Sequence, residues 1–151
     1  MIPVADALKV VIPPFEVTIL EPLNEYFLQG TAEQDELYLD PKAGPQAGLA
    51  GRPAPPTSLF GPTLPGYPWA PDLLGARVDR TVMASASYEI ERLPLVGEVL
   101  TCRGRCSDAA FKQTSKGQIG LYTLESIVTD ATGAVVLVER LSFLERALPA
   151  T

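Results

Sequence analysis

Histidine is absent from the 151 residues, and this absence narrows the chemistry more than any other. It excludes a Ser-His-Asp triad, a Cys-His pair and any zinc site with imidazole ligands. It also removes the one side chain that titrates near neutrality without perturbation. Cysteine is scarce: Cys102 and Cys106 are the only two. In a strand their spacing puts both on one face, about 13 Å apart, too far for a disulfide. With no histidine and no second cysteine pair they make no metal site, and they read as buried thiols. Long apolar runs are lacking, since none approaches the ~20 residues that span a bilayer. The first fifteen residues carry Asp6 ahead of Lys9 and no basic start, which makes a poor signal peptide. Positive charge is in deficit, with a formal net charge of −6. That balance argues against nucleic acid held by general electrostatic attraction. The expectation is a soluble, cytoplasmic chain with no cofactor and no membrane or nucleic-acid partner.

What is present is an ordinary globular composition, 46% hydrophobic and 20% charged. The length fits a single domain over residues 1–151. Fifteen prolines predict few long helices. Most of them fall before residue 75, whereas residues 76–146 read as strands. There, residues 77–92, 98–112, 118–129 and 134–145 are rich in Val, Ile, Thr, Tyr and Leu. They are separated by Leu93-Pro94-Leu95-Val96-Gly97, Thr114-Ser115-Lys116-Gly117 and Asp130-Ala131-Thr132-Gly133. Tyr122, Leu124, Ser126 and Val128 alternate with Leu121, Thr123, Glu125 and Ile127, which suggests a curved antiparallel sheet with one face better covered. Earlier, residues 15–20 predict a strand. Residues 21–28 predict a helix opened by Pro22, closed by Gly30 and striped by Leu23, Phe27 and Tyr26. Residues 35–39 predict a second short helix and residues 41–56 a loop. A further helix within 57–74 would be broken by Gly61, Pro62, Pro65, Gly66 and Pro68. The class is α+β with an antiparallel sheet.

Three segments carry a family resemblance. Gly51-Arg52-Pro53-Ala54-Pro55-Pro56-Thr57 resembles the start of the central helix in MaoC-like dehydratases. Residues 88–100, from Tyr88 through Arg92-Leu93-Pro94 to Gly97-Glu98-Val99-Leu100, resemble that family's strand–turn–strand. Residues 115–121, continuing to Val128-Thr129-Asp130 and Gly133, resemble its last hairpin. The order and spacing fit over residues 15–146, and the N-terminal type of MaoC domain, also found in fatty acid synthases, fits best. The resemblance implies the hot-dog fold, a curved antiparallel sheet wrapped around a central helix. It further implies protomers paired sheet to sheet, as a homodimer or as a heterodimer with a catalytic MaoC-like subunit. The ligands it implies are thioesters of coenzyme A or acyl carrier protein. Active members hydrate or dehydrate 2-enoyl thioesters with an Asp-His dyad, while N–H groups at the start of the central helix polarise the carbonyl.

The dyad stretch corresponds here to residues 32–40, which puts Glu33 at the Asp position and Tyr38 at the His position. Tyrosine titrates near 10, so it is a poor base at neutral pH. Glutamate is one methylene longer, where about 1 Å of misplacement can cost ~100-fold. The resemblance therefore implies a chain that lacks the dyad itself. Glu33, Asp35, Glu36 and Asp40 read either as a solvated face or as the source of a catalytic carboxylate, Glu33 first. Tyr38 reads as a pocket or interface aromatic or as a proton donor. Ala54, Thr57 and Ser58 read either as facing the thioester, with Thr57 or Ser58 as helix cap, or as part of a plain Pro-rich turn. Arg52 heads the arginines and lysines that could hold phosphates. Trp69, Tyr67 and Phe60 read as acyl-tunnel lining or as core. Three functions follow: a dyad-less subunit of a hydratase or dehydratase, a thioesterase with a carboxylate base, and a non-enzymatic acyl-thioester-binding module.

Overall fold

Two glycines with left-handed backbone, Gly117 (φ 107°) and Gly133 (φ 86°), turn the chain where a side chain would be strained. At the second turn the Asp130 carboxylate accepts from the Thr132 N–H, the Thr132 hydroxyl and the Ala134 N–H, an Asx-type brace. These turns join β3 (Val99–Thr114), β4 (Gly117–Thr129) and β5 (Val135–Arg146) into an antiparallel meander. The computed structural model that shows this describes residues 2–59, 73–115 and 117–146. Two edge strands complete a five-stranded sheet in the order β1-β3-β4-β5-β2. They are β1 (Val11–Thr18) and β2 (Thr81–Ile90). β2 therefore makes no hairpin with the strand that follows it. Residues 93–97 carry the chain to the far side of the meander, and β2 pairs with β5 from Thr81↔Glu145 to Ile90↔Leu137.

Alternation along β4 and β5 sets the two faces. Tyr122, Leu124 and Val128 of β4 are buried with Leu137, Leu141 and Phe143 of β5 on the inner face. Phe111 of β3 meets Tyr122 edge-on, ring centroids 6.4 Å apart. On the other face, Glu125 takes Arg105 of β3 and Arg140 of β5, and Arg140 reaches Glu89 of β2, so one ladder of charge crosses four strands. Cys102 and Cys106 are free and buried on the inner face. Burial and the Glu139 carboxylate push the Cys102 thiol up to about 12, which leaves it inert.

The helical half departs from expectation in four places. β1 begins at Val11, ahead of the predicted strand, and runs through Pro13 and Pro14. An edge strand tolerates this because the register with β3 breaks between Ile12 and Phe15, where no N–H is required. Helix α2 (Glu21–Thr31) follows α1 (Val4–Ala7) and continues through Gly30. It closes on Ala32, whose φ is 52°. Its buried face is Asn24 and Leu28, while Leu23 and Tyr26 of the expected stripe are exposed. Helix α3 (Glu36–Leu39) forms where the second short helix is predicted, with Asp35 capping the Leu37 N–H. The predicted loop contains one further turn, α4 (Ala43–Gln46). A 3-10 turn, Pro56–Leu59, follows. Phe60, Tyr67 and Trp69, with most of the helix predicted within 57–74, lie outside the described residues.

Candidate functional site

The segment between α2 and α3 is a tight arch. Its first residue after the left-handed Ala32 is Glu33, whose N–H bonds back to the Leu28 carbonyl. The Glu33 carboxylate turns onto its own backbone, and Oε1 accepts from the N–H groups of Gln34 at 2.8 Å and Asp35 at 2.9 Å. Tyr38 lies one helical turn on and is partly buried. Burial, then the charges of Asp35 and Glu33, raise its phenol above the ordinary value. A phenol held protonated beside carboxylates has even less of its basic phenolate form at neutral pH than free tyrosine.

Arg52 holds this arch from below. Its guanidinium is buried, and Nε donates to the Tyr38 carbonyl at 2.8 Å while Nη2 donates to the Leu39 carbonyl at 3.2 Å. Nη1 donates to the carboxylates of Glu21 and Glu25, one turn apart on α2. The side chain thus caps the C-terminal carbonyls of α3 and ties them to α2. Its own backbone is tied elsewhere: the Arg52 carbonyl accepts from Val96, and Pro53 bridges Leu95.

Two residues on, Ala54 is fully buried and its N–H donates to the Pro94 carbonyl at 2.8 Å. Pro55 and Pro56 have no N–H, and the Ser58 N–H closes the 3-10 turn on the Pro55 carbonyl. Within residues 54–58, only the N–H of Thr57 is not engaged by a described residue. Thr57 is exposed. The Ser58 hydroxyl is buried and has no hydrogen-bond partner among the described residues. Ala54 and Leu59 pack into one core cluster with Cys102, Val128 and Leu137, against which Tyr88 rests.

A second polar feature lies on the inner face of the sheet. Glu139 is fully buried and lies opposite Tyr88 on β2, where burial and its charge hold the Tyr88 phenol protonated. Parity could have found it: Glu139 falls in phase with Leu137, Leu141 and Phe143. The Arg52 contacts have no such signal, because they join residues far apart in sequence. Among the described residues no group of Cys, Asp and Glu could hold a metal ion, and no helix is long and apolar enough to cross a membrane.

Residues 17–139 match the family model described as FAS1-like, dehydratase domain region. The chain belongs to this family. Solved structures agree on the fold of this MaoC-like member. A chain of the ChsH1–ChsH2 complex from Mycobacterium tuberculosis is 17% identical, with 97% of this chain and 89% of that chain covered at a TM-score of 0.69. One from the C-terminally truncated HadBC complex, a (3R)-hydroxyacyl-ACP dehydratase of the same organism, is 15% identical, with 89% and 94% covered and a TM-score of 0.70. The (R)-hydratase of A. caviae involved in PHA biosynthesis is 12% identical, with 87% and 91% covered and a TM-score of 0.65. A search of curated protein sequences finds no match. The fold of this FAS1-like dehydratase-family chain is the hot-dog fold, in the α+β class.

Proposed function

We propose that the chain binds acyl thioesters of coenzyme A or acyl carrier protein as the dyad-less subunit of a 2-enoyl thioester hydratase or dehydratase. The observation that carries this reading is the state of the two dyad positions: Glu33 is spent on two backbone N–H groups, and Tyr38 is a phenol made harder to deprotonate. Ala54, Thr57 and Ser58 would face the thioester, with the Thr57 N–H as carbonyl donor. The Asp and His would come from a MaoC-like partner. An edge suited to it is β2, whose residues from Val82 to Ser87 are all exposed, with Met83 and Ile90 bare on the inner side. It carries no proline and no lysine to block pairing. Two of the neighbours named above come from heteromeric complexes, which supports this arrangement.

The test is hydration of crotonyl-CoA by the purified chain alone and mixed with a dyad-bearing MaoC-like subunit. No turnover alone and turnover in the mixture are expected, because general acid–base groups supply ~10²–10⁴-fold. Several turnovers per second by the chain alone would overturn the reading. They would favour a self-sufficient enzyme with a carboxylate base, for which Glu139 with Tyr88 is the best-placed pair.

A further inference from the structure

Arg52 touches both halves of the candidate site. Its main chain belongs to the strap that leads into the Ala54–Ser58 turn, fixed by the Val96 N–H and the Pro53–Leu95 bridge. Its side chain belongs to the other half, where it holds the carbonyls of Tyr38 and Leu39. Of the five guanidinium N–H donors, four are engaged: one each by Tyr38, Leu39, Glu21 and Glu25. A cation so enclosed, paired with two carboxylates, has little left to offer a phosphate.

We propose that Arg52 is a positioning residue that fixes the Glu33–Tyr38 arch relative to the Ala54–Ser58 turn, and not a contact of the ligand's phosphates. The planar fork suits this task, because it spans two successive carbonyls and two carboxylates at once. A lysine ammonium is compact and cannot reach all four. The carboxylates supply the counter-charge that lets the guanidinium stay buried, and both remain half-exposed themselves. The consequence for ligand affinity rests on the acyl-thioester reading above; the clasp itself does not.

Three measurements on the full chain, as wild type and Arg52→Lys, decide it. The first needs no ligand. Amide hydrogen exchange at Glu33, Leu39 and Asp40 should quicken at least ~10-fold in the variant while β4 and β5 are unchanged; unchanged exchange at the arch overturns the clasp. The second uses the thioether S-butyl-coenzyme A. The variant should bind at least ~10-fold more weakly, losing ligand-induced shifts at residues 33–39 but keeping them at Thr57 and Ser58; equal affinity overturns the positioning role. The third uses adenosine 3′,5′-bisphosphate, whose binding should not differ between the two proteins; weaker binding to the variant would make Arg52 a phosphate contact. If the wild type does not bind S-butyl-coenzyme A, the acyl-thioester reading falls, and the clasp is decided by exchange alone. Should the lysine variant unfold as a whole, Glu25→Gln keeps the guanidinium and removes one anchor. A smaller acceleration confined to the arch is then expected, and none there, or one spread over the sheet, overturns it.

Discussion

Tyr88 and Glu139 face each other across β2 and β5, so the phenol sits beside a carboxylate that solvent does not reach. Burial and then this charge push the Tyr88 phenol well above the ordinary value. Tyr122 is pushed up to about 12 by burial and by Glu145, and Cys102 to about 12 by burial and by Glu139. All three are raised in the folded state, so their contribution is intact below the unfolded values near 9–10 and is lost as pH rises toward 12. Thermal melts should be flat from pH 7 to about 9 and then fall steeply, by up to about 1.4 kcal/mol per pH unit for each such group. Tyr122→Phe should soften the fall. At pH 7 it should be neutral to within about 1 kcal/mol, because the buried hydroxyl it removes has no partner among the described residues. A melt unchanged up to pH 12 would contradict this.

The end of α2 has its glycine two residues early. Gly30 sits within the helix, and a Cβ added there meets nothing within 4 Å, whereas Ala32 holds the left-handed position with φ 52°. Gly30→Ala should stabilise by about 0.5–1 kcal/mol, and Ala32→Gly by a similar amount. Together they should add roughly, and denaturant melts at constant m-value would show it.

Gly44 supports Arg52 from behind. A Cβ at Gly44 would lie 2.3 Å from the Gly51 carbonyl oxygen and 2.7 Å from Pro53 Cδ, contacts that backbone cannot easily relieve. Gly44→Ala should therefore cost about 1–3 kcal/mol. It should also shift the Tyr38 and Leu39 amides, whose carbonyls Arg52 holds. Unchanged amide spectra with an unchanged melt would show that α4 moves aside freely.

Restoring the family's dyad is a direct trial of whether these two positions limit activity. Glu33→Asp with Tyr38→His should give measurable crotonyl-CoA hydration where the wild type gives none, with a gain on the order of 10²-fold. Tyr38→His alone should gain less, because Glu33 remains folded onto Gln34 and Asp35. No gain from the double variant would locate the deficit outside these two positions.

What could be read in advance follows the range of the forces involved. The β3–β4–β5 meander was legible because its turns are local chemistry, the Asp130 brace and two left-handed glycines. The short helix over residues 35–39 was legible for the same reason, although its Asp35 cap was not read. β2 was legible as a strand but not as a partner of β5, since nothing within residues 81–90 encodes which edge they join. The α2 stripe misled because hydrophobicity alone favours Leu23 and Tyr26, while packing places Asn24 and Leu28 inward. The Glu33 and Tyr38 positions came from family resemblance. Arg52 as a clasp could not be foreseen, because its four partners are spread from Glu21 to Leu39.

The strand order has a consequence for how the chain is made. As synthesis proceeds from the N-terminus, β2 emerges early but has no lateral neighbour until β5 follows, because its pairs run to Leu137–Glu145. The loop that closes this pairing contains the whole of β3 and β4, so β2 joins by a long-range closure, which is intrinsically slow. Until then two complementary edges stand open on the nascent domain. A second chain nearby can supply either, which makes exchange of β2 between molecules the characteristic hazard of this topology.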